Sequence, residues 1–315
     1  MWKTDVKEDR AIMKKFDNKT AGILSSSDLK TVKGKLIYWI FFALLTIVSI
    51  ISLFPAIWTI LTAFKETQEI YAGFSLFPND MSLPTLFKRI TESWKALQLG
   101  PSFINTIALS LGNLVFTIVV CGFAGYVLSK LKPKGSKVVF VLVVWTMMMP
   151  TQMRMVPNYI TMLHFPFAYD FGIGINLLDT YWPMWLTSAA NAFNVILFKN
   201  AFDGLSQSYV EAAKIDGCSN FGIFFKIMFP LAMPVIIYVS IGALSSAWSD
   251  FFNPLLYLDK NVVTPLKIYR LQLDTSIQMN TRFMGFIFAS IPPFLIFLVF
   301  QKRIMGGINI GGVKG

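Results

Sequence analysis

Six side chains able to hold a polar cargo stand inside or at the end of long apolar runs: Asn113, Asn191, Asn194, Trp248, Asp250 and Asn253. Polar groups are costly in such surroundings, so they mark candidate pathway positions. Bonding to a neighbouring helix is the alternative reading. Amides, one carboxylate and an indole offer hydrogen bonds and ring stacking, not bond-making chemistry. The only histidine, His164, reads as a loop residue. Cys121 and Cys218 are far apart and fit no metal or disulfide spacing. The phosphate-loop pattern G-x-x-x-x-G-K-[ST] does not occur. These residues therefore predict a binding pathway and no catalytic or nucleotide site.

A second group lies between Leu205 and Pro230. Ser208 and Glu211 have capping-box spacing, and Gly217 suits a left-handed helix end. Ser219 is placed to cap a second helix through Phe221, Phe224, Phe225 and Met228, which Pro230 stops or bends. A helix of about eight residues is roughly 12 Å long and marginal alone in water. It must be held by the rest of the chain or by a partner. Ala212 and Ala213 give it a smooth flank, while Glu211, Lys214 and Asp216 supply charges that fix orientation.

The elements that position these groups are membrane spans. Of 315 residues 55% are hydrophobic and 14% charged, against about 25% charged in ordinary soluble domains. Six apolar runs predict an all-α polytopic protein: about Leu36–Phe64, Phe103–Leu128, from Val138 past Met149, Tyr181–Phe198, Leu231–Leu256 and Phe283–Phe300. No cleavable signal peptide is expected, because the first run begins only near Leu36. Nineteen Lys and Arg flank one side of these runs and eight the other. The positive-inside rule then predicts that both termini are cytoplasmic. The net charge of +11 lies in these flanks and not in stripes with exposed aromatics, which argues for lipid headgroups and against nucleic acid. The predicted organisation is a cytoplasmic arm over 1–35, a six-helix domain over 36–303 with the loop 203–230, and a cytoplasmic tail over 304–315.

Glu211-Ala212-Ala213, three residues, Gly217, nine residues, Ile227, one residue and Phe229-Pro230 together resemble the EAA loop of ABC importer permeases. Phe229 stands where that pattern has Leu. Over roughly residues 36–315 the chain is similar to the carbohydrate-uptake branch, the smaller maltose-type permeases. Pro55–Lys65, Phe103–Asn105, Ala247–Phe251 and Gly311–Gly315 carry that likeness. Ser249 departs from the usual Asn, and the N-terminal arm has no counterpart.

The resemblance implies a type I importer permease fold and a bacterial inner-membrane location. It implies that Glu211, Ala212, Ala213, Asp216 and Gly217 dock a separate ATPase. The expected partners are a homologous second permease, two ATP-binding subunits and an extracellular solute-binding protein. No cofactor is expected on this chain itself; ATP and Mg would be used by the partner ATPase. The expected cargo is an oligosaccharide, whose hydroxyls and apolar ring faces suit amides, carboxylates and aromatics. Importers of another solute, such as a polyamine or glycerol phosphate, are the alternative, and an ion-coupled carrier is a more distant one.

Overall fold

The computed structural model describes residues 31–166 and 174–305. Most of the expected N-terminal arm, including Ile12, Met13, Phe16 and Ser25 to Ser27, lies outside the described residues, as does the glycine-rich end from residue 306. The chain divides into two compact units, residues 1–61 and 62–315.

The first unit contains most of α1 (Val32–Ala63), 32 residues with Pro55 inside. At 1.5 Å per residue it is about 48 Å long, more than the roughly 30 Å of a hydrocarbon core. Over residues 35–57 its side chains are exposed all round, while Ala63 at its end is buried. Three of its hydroxyls turn inward: Thr46, Ser49 and Thr59 donate to the carbonyls of Phe42, Leu45 and Pro55 at 2.7–2.8 Å. A helix in lipid has to satisfy its polar groups in this internal way.

In the second unit, α2 (Thr67–Ala72) and α3 (Leu83–Leu97) lead into α4 (Gly100–Leu131), the central helix. It ends in a π-turn over Val127–Leu131. Over Gly100–Tyr126 its buried face is mostly polar or small (Ser102, Thr106, Ser110, Asn113, Thr117, Cys121 and Gly125), with Leu109 and Tyr126 as the large exceptions. Ile104, Ile107, Leu111, Val115 and Val119 face outward. This is the reverse of a soluble helix, and it follows from hydrocarbon being as apolar as leucine. Only small side chains let neighbouring backbones approach, and only inward-facing polar groups find partners.

α5 (Ser136–Met148) and α6 (Thr151–Leu163) form one bent pair, turned by 110°. Pro150 forces the break: Met149 before it is extended (ψ 119°), and Pro150 has no N–H to continue the ladder. α7 (Trp182–Ala189) and α8 (Ala192–Asp203) follow, then α9 (Ser208–Ile215) and α10 (Asn220–Leu231). α10 and α11 (Met233–Ser249) form the second bent pair, turned by 83° about Ala232 between Pro230 and Pro234. α12 (Phe252–Tyr257), α13 (Thr264–Leu273) and α14 (Met279–Met305) complete the order.

Among the described residues three helices, α1, α4 and α14, are long and apolar enough to cross a membrane alone, or up to five spans form if each bent pair counts as one. The expected fourth span is instead two short helices broken at Ala190 and Asn191, whose own carbonyl oxygen Oδ1 accepts from the Asn194 N–H and caps α8. The expected fifth span stops at Ser249, because Asp250 turns extended (ψ 111°) and the chain restarts as α12. α4 packs against α7, α8 and α11.

Away from the α9 end, α4 is tied to α13 through buried hydroxyls. Thr106 Oγ1 accepts from the Thr264 N–H at 2.8 Å and lies 3.0 Å from Thr264 Oγ1. Thr106→Val would strand that buried donor, a loss of about 1–3 kcal/mol. It is expected to lower the thermal-unfolding midpoint of the detergent-solubilised protein, whereas Thr106→Ser keeps it.

Candidate functional site

Two constructions stand out: the loop around α9, and a pair of cavities beside α4.

α9 begins at Ser208, so Ser208 is its first helical residue and not its cap. The expected capping box does not form. Gln207 before it is already helical (φ −65°, ψ −25°), and Glu211 N–H donates to Gln207 O at 3.1 Å. The Ser206 hydroxyl accepts from Ser208 N–H instead, at 3.2 Å. The other end is as expected. Gly217 has φ +79°, its N–H donates to Lys214 O at 3.1 Å, and Cys218 N–H donates to Ala213 O at 2.9 Å. This paired closure requires a left-handed residue, which glycine supplies without a Cβ penalty. The Ser219 hydroxyl then caps α10 by accepting from Gly222 N–H at 3.1 Å.

The inner face of α9 is fastened to the chain. Val210 (0% exposed) and Ala213 enter a buried cluster with Tyr126, Phe198, Phe202, Ile223, Phe224 and Met228. Burying one such large apolar side chain from water stabilises by about 1.5–3 kcal/mol. At the base of the loop, Asp203 accepts from Ser129 at 2.6 Å and pairs with Lys199 at 2.5 Å, and Lys130 Nζ donates to Leu205 O at 2.6 Å. Burial pushes the Asp203 carboxyl up, but the Lys199 and Ser129 hydrogen bonds outweigh it and hold the group below its ordinary value. The outer face stays open. Tyr209, Glu211, Ala212, Asp216 and Gly217 are exposed, and Ile215 is 87% exposed.

The cavities meet at the break between α7 and α8. One, about 980 Å³, is lined by Thr117, Asn191, Asn194, Tyr238 and Ser245 and reaches Lys302 and Arg303. The other, about 750 Å³, is lined by Asn113, Arg154, Asn158, Asn191, Asp250 and Asn253. Ser188, Asn191, Phe193 and Ser246 belong to both. The interrupted helix frees carbonyls, and α4 answers them. Thr117 Oγ1 lies 3.3 Å from the Ser188 carbonyl oxygen and 2.6 Å from Ser188 Oγ, and the Cys121 thiol donates to Ala189 O at 3.1 Å.

A model of the binding-protein-dependent transport system inner membrane component family matches residues 118–308. That is more than half of the chain and includes α9, both bends and most of both cavity walls. This chain belongs to that family. The permease is 32% identical over 215 residues to the arabinooligosaccharides transport system permease protein AraQ of Bacillus subtilis (strain 168), covering 68% of this chain and 73% of AraQ. Its fold matches a crystal structure of a bacterial ABC transporter involved in the import of the acidic polysaccharide alginate, with TM-score 0.70 at 23% identity, covering 86% of this chain and 98% of that one. A second alginate transporter structure, in complex with an alginate pentasaccharide-bound periplasmic protein, matches with TM-score 0.55 at 16% identity, covering 88% and 97%.

The permease brings four of the six expected pathway residues to one cavity: Asn113, Asn191, Asp250 and Asn253. Asn194 lines the other. Trp248 lines neither. It is buried edge-to-face against Phe103 at 5.4 Å, so its expected stacking role gives way to helix packing. Phe251 likewise stacks on Tyr269 at 4.8 Å. Arg154, which shares a cavity with Asp250, forms no ion pair with it among the described residues. Asp250 Oδ1 accepts from the Phe252 and Asn253 N–H groups, and Oδ2 from Asn253 Nδ2 at 2.6 Å.

At α9, Ala213 faces inward and anchors the helix, so the outer surface is carried by Glu211, Ala212, Asp216 and Gly217. Ile215 and Tyr209 were missed on that surface. The signal was present: at about 100° per residue, Ile215 falls opposite the Val210–Ala213 stripe. Thr151 and Asn158 were also missed; with Arg154 they give α6 an i, i+3, i+7 polar stripe toward the cavity.

Proposed function

We propose that this chain is the membrane-spanning permease subunit of an ATP-driven, binding-protein-dependent oligosaccharide importer, and that residues 203–230 receive the movement of a separate ATPase. The carrying observation is α9. It is a short helix closed by a glycine, rooted by Val210 and Ala213, and presenting Ile215 almost fully exposed beside Glu211 and Asp216. An exposed apolar residue rimmed by charge suits a protein partner. The relatives support the cargo class, since AraQ is described for arabinooligosaccharides and the two solved transporters for alginate.

On this reading a homologous second permease completes the pathway, and two ATP-binding subunits dock at α9 of each permease. An extracellular solute-binding protein delivers the sugar. ATP and Mg stay with the ATPase. The loop 203–230 and both termini are cytoplasmic, as the charge bias favours. The two cavities sharing Asn191 and Phe193 supply the two sides of alternating access.

The test co-expresses the chain with candidate ATPase, permease and binding-protein partners. Glu211→Lys and Ile215→Asp are expected to cut ATPase co-purification and sugar uptake about tenfold or more, without loss of the permease from the membrane. Unchanged assembly and uptake in both variants would sink the docking assignment.

A further inference from the structure

The cavity of about 750 Å³ has an imbalance of charge. Arg154 projects into it from the second turn of α6, on the same stripe as Thr151 and Asn158. Its Nε is buried with no hydrogen-bond partner, and the guanidinium forms no ion pair among the described residues. The carboxylate that shares the cavity, Asp250, is committed elsewhere: both its oxygens close the turn into α12. Arg154 as a whole is half-buried, and its guanidinium has no uncommitted counter-charge among the described residues of the cavity; an anion would supply one through charge-assisted hydrogen bonds.

On α4, Asn113 also lines this cavity. It is 6% exposed, and its Oδ1 is buried with no partner among the described residues. That atom is an acceptor, so it calls for a donor such as a hydroxyl. The cavity therefore combines one unmet cationic donor with one unmet neutral acceptor. Its volume lies in the range of about 300–1,000 Å³ that ligand-sized sites occupy.

We propose that Arg154 and Asn113 read the cargo in this cavity, and that the cargo is an oligosaccharide bearing a carboxylate, a uronate sugar. This inference rests on the importer reading above. The guanidinium takes the carboxylate through charge-assisted hydrogen bonds, which are the shorter and stronger kind. Asn113 Oδ1 accepts from a ring hydroxyl. Asn158 and Asn253 serve further hydroxyls along the walls. A neutral sugar would satisfy Asn113 and leave the guanidinium without a counter-charge, which sets the selectivity.

The experiment uses the complete transporter in liposomes with its binding protein. Two matched probes are supplied: a pool of oligouronates of two to five sugars, and the same pool after chemical reduction of every carboxyl to an alcohol. ATP-driven uptake of the oligouronates is expected, at least tenfold above the reduced pool. Arg154→Gln should lower oligouronate uptake about tenfold or more, and Arg154→Lys should restore most of it. Asn113→Leu should lower uptake while leaving the preference for the carboxylated pool in place. Preferential uptake of the reduced pool overturns the proposal and leaves the importer reading standing. Equal loss of both pools in Arg154→Gln does so too, and would assign Arg154 to lipid phosphate or to structure. ATP-driven uptake of neither pool overturns this inference and leaves the importer reading to the co-expression test above.

Discussion

Gly217→Val in the assembled transporter is expected to lower ATP-driven uptake about tenfold or more, while Gly217→Asn retains most of it. Gly217 sits at φ +79° with open space where a Cβ would project. The effect is therefore one of backbone conformation and not of collision. A left-handed backbone costs an L-residue about 1–2 kcal/mol, with asparagine the best tolerated. A β-branched side chain at this position pushes the backbone out of that region. The two bonds that close α9, Gly217 to Lys214 and Cys218 to Ala213, then open together. Each contributes about 1 kcal/mol. With that end frayed, Glu211 and Ile215 lose their fixed position relative to the buried Val210 and Ala213. Uptake and ATPase rate measured side by side check this. Valine and asparagine variants of equal activity would show that the left-handed closure is not what positions the loop.

The second large effect is expected at Gly125, where Gly125→Ala should destabilise the protein by about 1–3 kcal/mol or more. An added Cβ would lie 2.6 Å from Phe198 Cβ and 2.8 Å from the backbone nitrogen of Lys199. The second contact is with main chain, so no rotamer change relieves it, and α4 and α8 must move apart. α8 carries Lys199 and Asp203, the base of the α9 loop, so the shift reaches the proposed docking surface. Gly122→Ala is the internal control. One turn back on α4, its Cβ would meet Phe224 at an ordinary 3.5 Å. Thermal unfolding of the detergent-solubilised protein is expected to separate the two. A Gly125→Ala midpoint equal to that of Gly122→Ala would mean that the close crossing is not needed.

These contrasts show how far the chain could be read without coordinates. Gly122 and Gly125 look alike in sequence, and both could serve a small-residue helix crossing. Which one tolerates a methyl group depends on where α8 passes. Ala212 and Ala213 are neighbours in one motif, yet 100° around a helix places one outside and the other in the core. Trp248 and Asn113 were both read as pathway residues. Phe103 occupies the indole, whereas no described residue meets Asn113 Oδ1.

What the sequence determined by itself was local or cumulative. The lengths of the apolar runs set an all-α membrane protein, because hydrocarbon leaves every backbone group to be satisfied within its own helix. Gly217, Ser219 and Pro230 marked helix ends and bends, because missing N–H groups, left-handed φ and hydroxyl caps act over three or four residues. Only the tertiary structure decided what depends on helices meeting: that the fourth run is two helices, that Asn191 caps while Asn113 stays open, and that Asp250 turns away from Arg154. The physical reason is that the same amide or carboxylate has nearly the same propensities in every case. Its role is set by whether a neighbouring helix offers a partner within about 3 Å, and that distance is a property of packing and not of the residue.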